Sequence, residues 1–396
     1  MNQKKFFNVR TGKDYICKLK EFELAGIYIH IPFCKQACHY CDFHFSTNTS
    51  RLEEMVLSIV EEMEMRKDYL NGEAIETIYF GGGTPSLPDA EQIGLILEKA
   101  KSLFKSSPIE VTLEANPDDL SQEKLEAWKA LGIDRLSLGI QSFDDKVLRF
   151  YNRAHNSKES LQAIEKARKA GFEKFSIDLI YGFPYSDHSL WNKDLETALK
   201  LDPSHLSCYS LTVEPRTALG NWSQKGKFQP ADEDFVAEQF EILQEKTEAF
   251  GYEQYEISNF AKPGQYAIHN TNYWKRVSYL GLGPGAHSFD GKKRGFNIAN
   301  NALYLKHIQT GQLPFETEEL SESDLLNEYI LTGLRTSWGI DLDLIREDFK
   351  TDLFDLKKRE IEQMGSEGWL IWKDKNLSLS KSGKILADSI AEALFI

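Results

Sequence analysis

The chain has 396 residues, 41% hydrophobic and 27% charged, with a formal net charge of −14 at pH 7. That length allows more than one domain and a sizeable core. The acidic balance excludes a general nucleic-acid binder, which needs a basic face, and reads instead as a solvating surface.

No run approaches the ~20 apolar residues of a membrane-spanning helix. The start, MNQKKFFNVRTGKDY, has no long apolar stretch of the kind a signal peptide carries. The expected location is the cytoplasm, with membrane contact at most peripheral, and thiols stay reduced there. Residues 1–23 read as a poorly ordered extension.

From residue 24 short apolar runs alternate with helical patterns. AGIYIHIPF reads as a strand and RLEEMVLSIVEEMEMRKDYL as an amphipathic helix. AIETIYFGGG, IEVTLEANP, RLSLGIQSF, KFSIDLIYGFP and HLSCYSLTV read as five more strands, each followed by a helical pattern. Six β/α units in a row imply parallel strands joined by right-handed crossovers, two units short of a closed eight-stranded barrel. The expected fold is α/β, a partial (β/α)6 TIM-like barrel over residues 24–251 with its chemistry at the C-terminal ends of the strands. Residues 252–320 form a Gly- and aromatic-rich connection containing HNTNYW and GLGPGAHSF. Residues 321–396 read as a small α+β winged-helix-like domain. Its ten Lys/Arg against fifteen Asp/Glu, a net of −5, suit a lid or partner-docking module better than a DNA reader.

Three of the five cysteines, Cys34, Cys38 and Cys41, fall within HIPFCKQACHYCDF, the loop after the first strand. In a reducing compartment such a cluster points to a metal or redox site. One option is zinc, completed by His30, His39 or His44, although structural zinc sites usually draw on two separated ligand pairs and no second pair exists here. The other is a [4Fe-4S] cluster, which ordinarily takes four cysteines; with three, one iron stays open for an exchangeable ligand. The second strand ends in GGGTPS, Gly81 to Ser86, where glycines allow close approach of main chain to a ligand. Glu114 and Asn116 end the third strand, Gln141 ends the fourth and Asp178 lies on the fifth, so several polar groups fall at one end of the sheet.

The spacing C-x-x-x-C-x-x-C, with Tyr40 before the last cysteine, resembles the signature of the radical S-adenosylmethionine superfamily. The segments IYIHIPFC, GGGTPS, LGIQSF, DLIYGFP, LTVEP and GLGPGAHSF resemble the oxygen-independent coproporphyrinogen III oxidase group within it. The resemblance implies a [4Fe-4S] cluster on Cys34, Cys38 and Cys41. It also implies S-adenosylmethionine held by Tyr28, Tyr40, Gly82, Gly83, Thr84, Glu114, Gln141, Arg153 and Asp178; for Glu114 and Arg153 the alternative is a rim ion pair. Two departures from the oxidase point to its HemW-type haem-chaperone relatives: Phe43 stands where the oxidase pattern has a further cysteine, and HNTNYW, His269 to Trp274, fits their H-N-x-x-Y-W pattern. That branch implies haem as ligand, with His269 as axial ligand, His287 as its rival and Lys262, Lys275 and Arg276 near the propionates. The histidine's alternative is to order the connection by hydrogen bonding. Transfer of haem to respiratory proteins is the function implied and propionate decarboxylation by an oxidase is the runner-up; a homodimer is compatible with either.

Overall fold

The computed structural model describes residues 24–396, so the expected 1–23 extension, with Cys17, lies outside the described residues. Six parallel strands form the centre: β1 Leu24–Ile31, β2 Ala74–Gly82, β3 Ser106–Ala115, β4 Arg135–Gln141, β5 Lys174–Tyr181 and β6 His205–Ser210. They lie side by side in chain order. The crossover helices begin where the sequence supplies a cap. Asp89 and Asn156 each form reciprocal capping boxes, with Gln92 and Glu159, and Ser121 accepts from the Lys124 amide.

Apart from register shifts at Ala25/Gly26, Ile75/Thr77 and Leu138/Gln141, the strands alternate between two faces. Ile27, Ile29, Phe80, Leu113, Leu136, Leu138, Ile177, Leu179 and Leu206 are fully buried in the main hydrophobic core. Burial of each such side chain stabilises by roughly 1.5–3 kcal/mol. The intervening Tyr79, Glu114, Ser137, Asp178, Ser207 and Tyr209 line a cavity instead. The fold thus turns a period-two pattern into an apolar outside and a polar hollow.

Residues 252–320 are more than a connection. They contribute β7 Glu253–Glu256 and β8 Asn259–Ala261 beyond β6, and β9 Ser278–Leu282, β10 His287–Phe289, β11 Lys293–Asn297 and β12 Phe315–Glu319 beyond β1, giving one twelve-stranded sheet. The clamp on the β9 side is the buried Glu62. It accepts hydrogen bonds from Arg66 (3.1 Å), Asn297 (2.7 Å), Tyr304 (2.6 Å) and the Gly283 amide (2.8 Å). A carboxylate with four donors satisfies the condition under which a buried charge is tolerated.

The C-terminal unit runs helix Glu322–Leu334, strand Ile340–Asp341, helices Leu342–Phe349, Leu353–Leu356 and Lys358–Ser366, a hairpin Leu370–Lys373 with Asn376–Leu379, and helix Ala387–Ala393. Its three strands form a separate antiparallel sheet over a second core. That order of helices, strand and hairpin is winged-helix-like. Arg335 joins it to the barrel, reaching Glu256 (3.3 Å) and Asp388 (2.6 Å) and covering the Trp274 ring with its guanidinium carbon 5.4 Å from the centroid. Among the described residues no helix is long and apolar enough to cross a membrane.

Candidate functional site

The cysteine loop leaves β1 and is pinned from outside by main-chain bonds. The Cys34 amide donates to Ser46 O (3.0 Å), the His39 amide to Tyr151 O (3.1 Å), and the Leu219 amide to His39 O (2.9 Å). With its backbone so fixed, the loop turns Cys34, Cys38 and Cys41, all half-buried, into one cavity of about 580 Å³. Burial pushes the Cys34 and Cys41 thiols up to about 11, partly offset at Cys34 by a hydrogen bond with Thr84. Both are therefore protonated at neutral pH, and a metal must displace those protons to bind.

Each histidine considered for a zinc site hydrogen-bonds elsewhere through at least one ring nitrogen. His30 bonds Tyr28 OH (3.1 Å) and His44 O (2.9 Å), and burial lowers it to about 4. His39 Nδ1 donates to Phe150 O (2.7 Å), and His44 Nε2 pairs with Asn301 (2.7 Å). Among the described residues no three His, Cys, Asp or Glu side chains converge on a point suited to one metal ion. Thiols spread around a cavity suit a multi-iron cluster, where each sulfur meets its own iron.

Across the cavity Arg153 forms the central polar fork. Its Nη2 donates to Asn116 Oδ1 (2.6 Å) and Gly139 O (2.8 Å), and its Nη1 to Tyr40 OH (3.3 Å) and Cys38 Sγ (3.4 Å). Its Nε is buried without a hydrogen-bond partner. Among the described residues no carboxylate forms an ion pair with it. Asn116 also donates to Thr84 Oγ1 (3.2 Å), tying the glycine loop to the same network.

Two carboxylates, Asp178 and Glu114, line the same hollow. Asp178 accepts from Ser137 and Ser176, each at 2.8 Å, and burial raises its pKa. Glu114 accepts from Tyr79 OH (2.7 Å). Its seat in the cavity wall pushes it up to about 7, with Asp178 adding repulsion and the Tyr79 and Gly82 donors opposing. Gln141 ends β4 at φ +65°, a left-handed conformation uncommon outside glycine and of a kind that clusters at functional sites.

The glycine run serves the protein's own chain as much as a ligand. A Cβ on Gly83 would meet Phe33 O at 2.7 Å and Ile31 O at 2.8 Å, the strand end that feeds the cysteine loop. Gly82, at φ +103°, would press a Cβ to 2.5 Å from the His30 ring.

The cavity thus gathers the three loop cysteines and every residue expected from sequence to hold S-adenosylmethionine except Tyr28; His269, His287, Lys262, Lys275 and Arg276 lie outside its lining. Tyr28 lies one strand pairing from Tyr79 and bonds His30. His269 is 2% exposed, with Nδ1 on Thr77 Oγ1 (2.8 Å) and Nε2 on Tyr273 OH (2.9 Å). Ligation of haem iron by His269 would require breaking one of these bonds and opening a closed socket. Its rival His287 is exposed and carries no side-chain hydrogen bond among the described residues. Arg276 and Lys275 are half-buried, and Lys275 lies over Trp338 (4.8 Å). Tyr79, Asn152 and Tyr209 also line the cavity and escape the motif reading, and Asn270 of the HNTNYW motif lines it too. For Tyr79 and Tyr209 the signal was available in the strand alternation.

The residues present fit a cluster with a zwitterionic, cationic cofactor beside it. Three thiols, a buried arginine N–H without a hydrogen-bond partner and two carboxylates that form no ion pair among the described residues share one hollow. A partial barrel with this site at the strand ends defines a radical S-adenosylmethionine protein. The Radical SAM superfamily model matches residues 28–193, and the HemN C-terminal domain model matches residues 320–386. The Heme chaperone HemW of Bacillus subtilis is 35% identical, covering 93% of this chain and 98% of its own. Radical S-adenosyl methionine domain-containing protein 1, mitochondrial, of Bos taurus is 32% identical over 93% of this chain and 87% of its own. The coproporphyrinogen III oxidase HemN of Escherichia coli superposes with a TM-score of 0.82 at 20% identity, covering 96% of this chain and 92% of that one, a likeness of fold. The chain belongs to the HemW family of radical S-adenosylmethionine proteins.

Proposed function

We propose that this protein is a haem chaperone that holds a [4Fe-4S] cluster and S-adenosylmethionine in the barrel cavity, binds haem and passes it to acceptor proteins. Cys34, Cys38 and Cys41 hold the cluster. Tyr40, Gly82, Gly83, Thr84, Glu114, Gln141, Arg153 and Asp178 form the S-adenosylmethionine pocket, with Tyr28 behind them. A bound cluster would supply the electron for reductive chemistry at the sulfonium. The chain's own part is to present Arg153 to the cofactor's carboxylate and Glu114 and Asp178 to its amino and hydroxyl donors.

The observation that carries this reading is the convergence of three thiols, the Arg153 fork and two carboxylates on one cavity. Relatives named Heme chaperone HemW, at 31–36% identity, support the haem branch. Phe43 supports it too: it stands 71% exposed where the oxidase pattern carries a further cysteine. Of the three histidines in the 252–320 segment, His269, His287 and His307, only His287 is exposed, and it is the one proposed to take up iron. Respiratory haem proteins are the expected acceptors, and a cytoplasmic location and a homodimer go with the reading. The test against the oxidase is turnover of coproporphyrinogen III by the anaerobically reconstituted, reduced protein. No decarboxylated product above a cluster-free control is expected; steady product formation would make the oxidase the function.

A further inference from the structure

The ring of His269 sits in a socket built from three strands and its own helix, Ile268–Trp274. Thr77 and Tyr273 take its two nitrogens. Gly26 leaves the space, since a Cβ there would lie 3.2 Å from the ring. The Glu110 carboxylate accepts from the Ile268 (3.0 Å) and His269 (2.9 Å) amides, fixing the helix's first turn. The ring's face stacks on Tyr79, centroids 5.0 Å apart and planes 24° from parallel. Tyr79 lines the cavity and donates to Glu114 Oε1 at 2.7 Å.

From this contiguous chain we infer that His269 is a positioning residue for the S-adenosylmethionine pocket: by bracing Tyr79 it holds the Glu114 carboxylate in the orientation that meets the cofactor. The inference rests on the reading that the cavity binds S-adenosylmethionine. Without the imidazole, the Tyr79 ring loses the closer of the two rings stacked on it, His269 at 5.0 Å against Tyr28 at 6.2 Å, and its hydroxyl is less firmly aimed at Glu114. Glu114 then keeps its desolvation cost while losing the donor that orients it. Asn270, the next residue, reaches the cavity directly. The helix therefore serves the pocket by one contact and one brace. A residue acting through packing needs no exposed nitrogen, which accounts for a histidine so fully enclosed.

The experiment compares the anaerobically reconstituted full chain with its His269→Ala and Tyr79→Phe variants. Cofactor affinity is read from the S-adenosylmethionine-induced change in the electron paramagnetic resonance of the reduced cluster, and haem affinity from the Soret band. Both variants are expected to weaken S-adenosylmethionine by about tenfold, the scale of one hydrogen bond to a charged group. Iron content and haem affinity stay at the parent's level. Tyr79→Phe removes a single hydroxyl and decides the matter where His269→Ala takes up too little iron. Parent-like S-adenosylmethionine affinity in either variant, or loss of the Soret band in His269→Ala with that affinity intact, overturns the inference alone. Absence of S-adenosylmethionine binding in the parent overturns both it and the reading beneath it.

Discussion

Arg153 Nη1 lies 3.4 Å from Cys38 Sγ while Nη2 of the same guanidinium donates to Asn116 at 2.6 Å. One side chain thus touches both a thiol of the cysteine loop and the residue that ends β3. Lysine keeps the charge but lacks the planar fork. Arg153→Lys is expected to retain the cluster absorbance and to weaken S-adenosylmethionine by about tenfold or more, as expected for losing charged hydrogen bonds. Equilibrium dialysis with the labelled cofactor checks this, and unchanged affinity would remove Arg153 from the pocket.

Each of Cys34→Ala, Cys38→Ala and Cys41→Ala should abolish the broad iron–sulfur absorbance after anaerobic reconstitution. Cys208 is buried on β6 at the core, so Cys208→Ala should keep the absorbance and lose only packing, on the order of 1 kcal/mol. Loss of iron in Cys208→Ala equal to that in the loop variants would refute the assignment.

Glu114 gives the site a pH dependence with a definite sign. The groups facing it are Tyr79 on β2, Asp178 on β5, and Tyr28, Tyr209 and Tyr273, all of which are un-ionised or anionic. Held at about 7, it takes a proton below that pH and then offers no charge to a cationic ligand. Affinity for S-adenosylmethionine should therefore rise by about tenfold from pH 6 to 8, as one carboxyl releases its proton. Glu114→Gln should bind more weakly and flatten the profile. A flat profile in the parent would place the cofactor's cationic groups elsewhere.

Gly83 tests the coupling of pocket to loop. Valine there would meet the main chain at Ile31 and Phe33 at 2.7–2.9 Å, forcing the start of the cysteine loop to move. Gly83→Val is expected to lose iron as well as cofactor binding, and to lower the melting temperature by the several degrees that ~2 kcal/mol of strain implies. Full iron content with only the cofactor lost would mean that the glycine's space belongs to the ligand.

The barrel and most of the site were legible because both follow local rules. Six β/α repeats impose parallel order, and strand-end motifs such as GGGTPS and Gln141 then fall on one side by topology. Strand alternation also carried Tyr79 and Tyr209, which a motif search passes over. Residues 252–320 resist such reading because their strands are only three to five residues long and their partners are distant in sequence, as β9 with β1. His269 shows the sharper limit. Its residue type and aromatic neighbours suit an iron ligand, but whether its nitrogens are spent depends on Thr77, nearly two hundred positions away.

The central claim, that this chain carries haem, is tested most directly by a Soret titration of the anaerobically reconstituted protein. The account predicts saturable binding with a shifted Soret band that survives in His269→Ala and is lost or altered in His287→Ala. A titration with no saturable shift in the parent would contradict it.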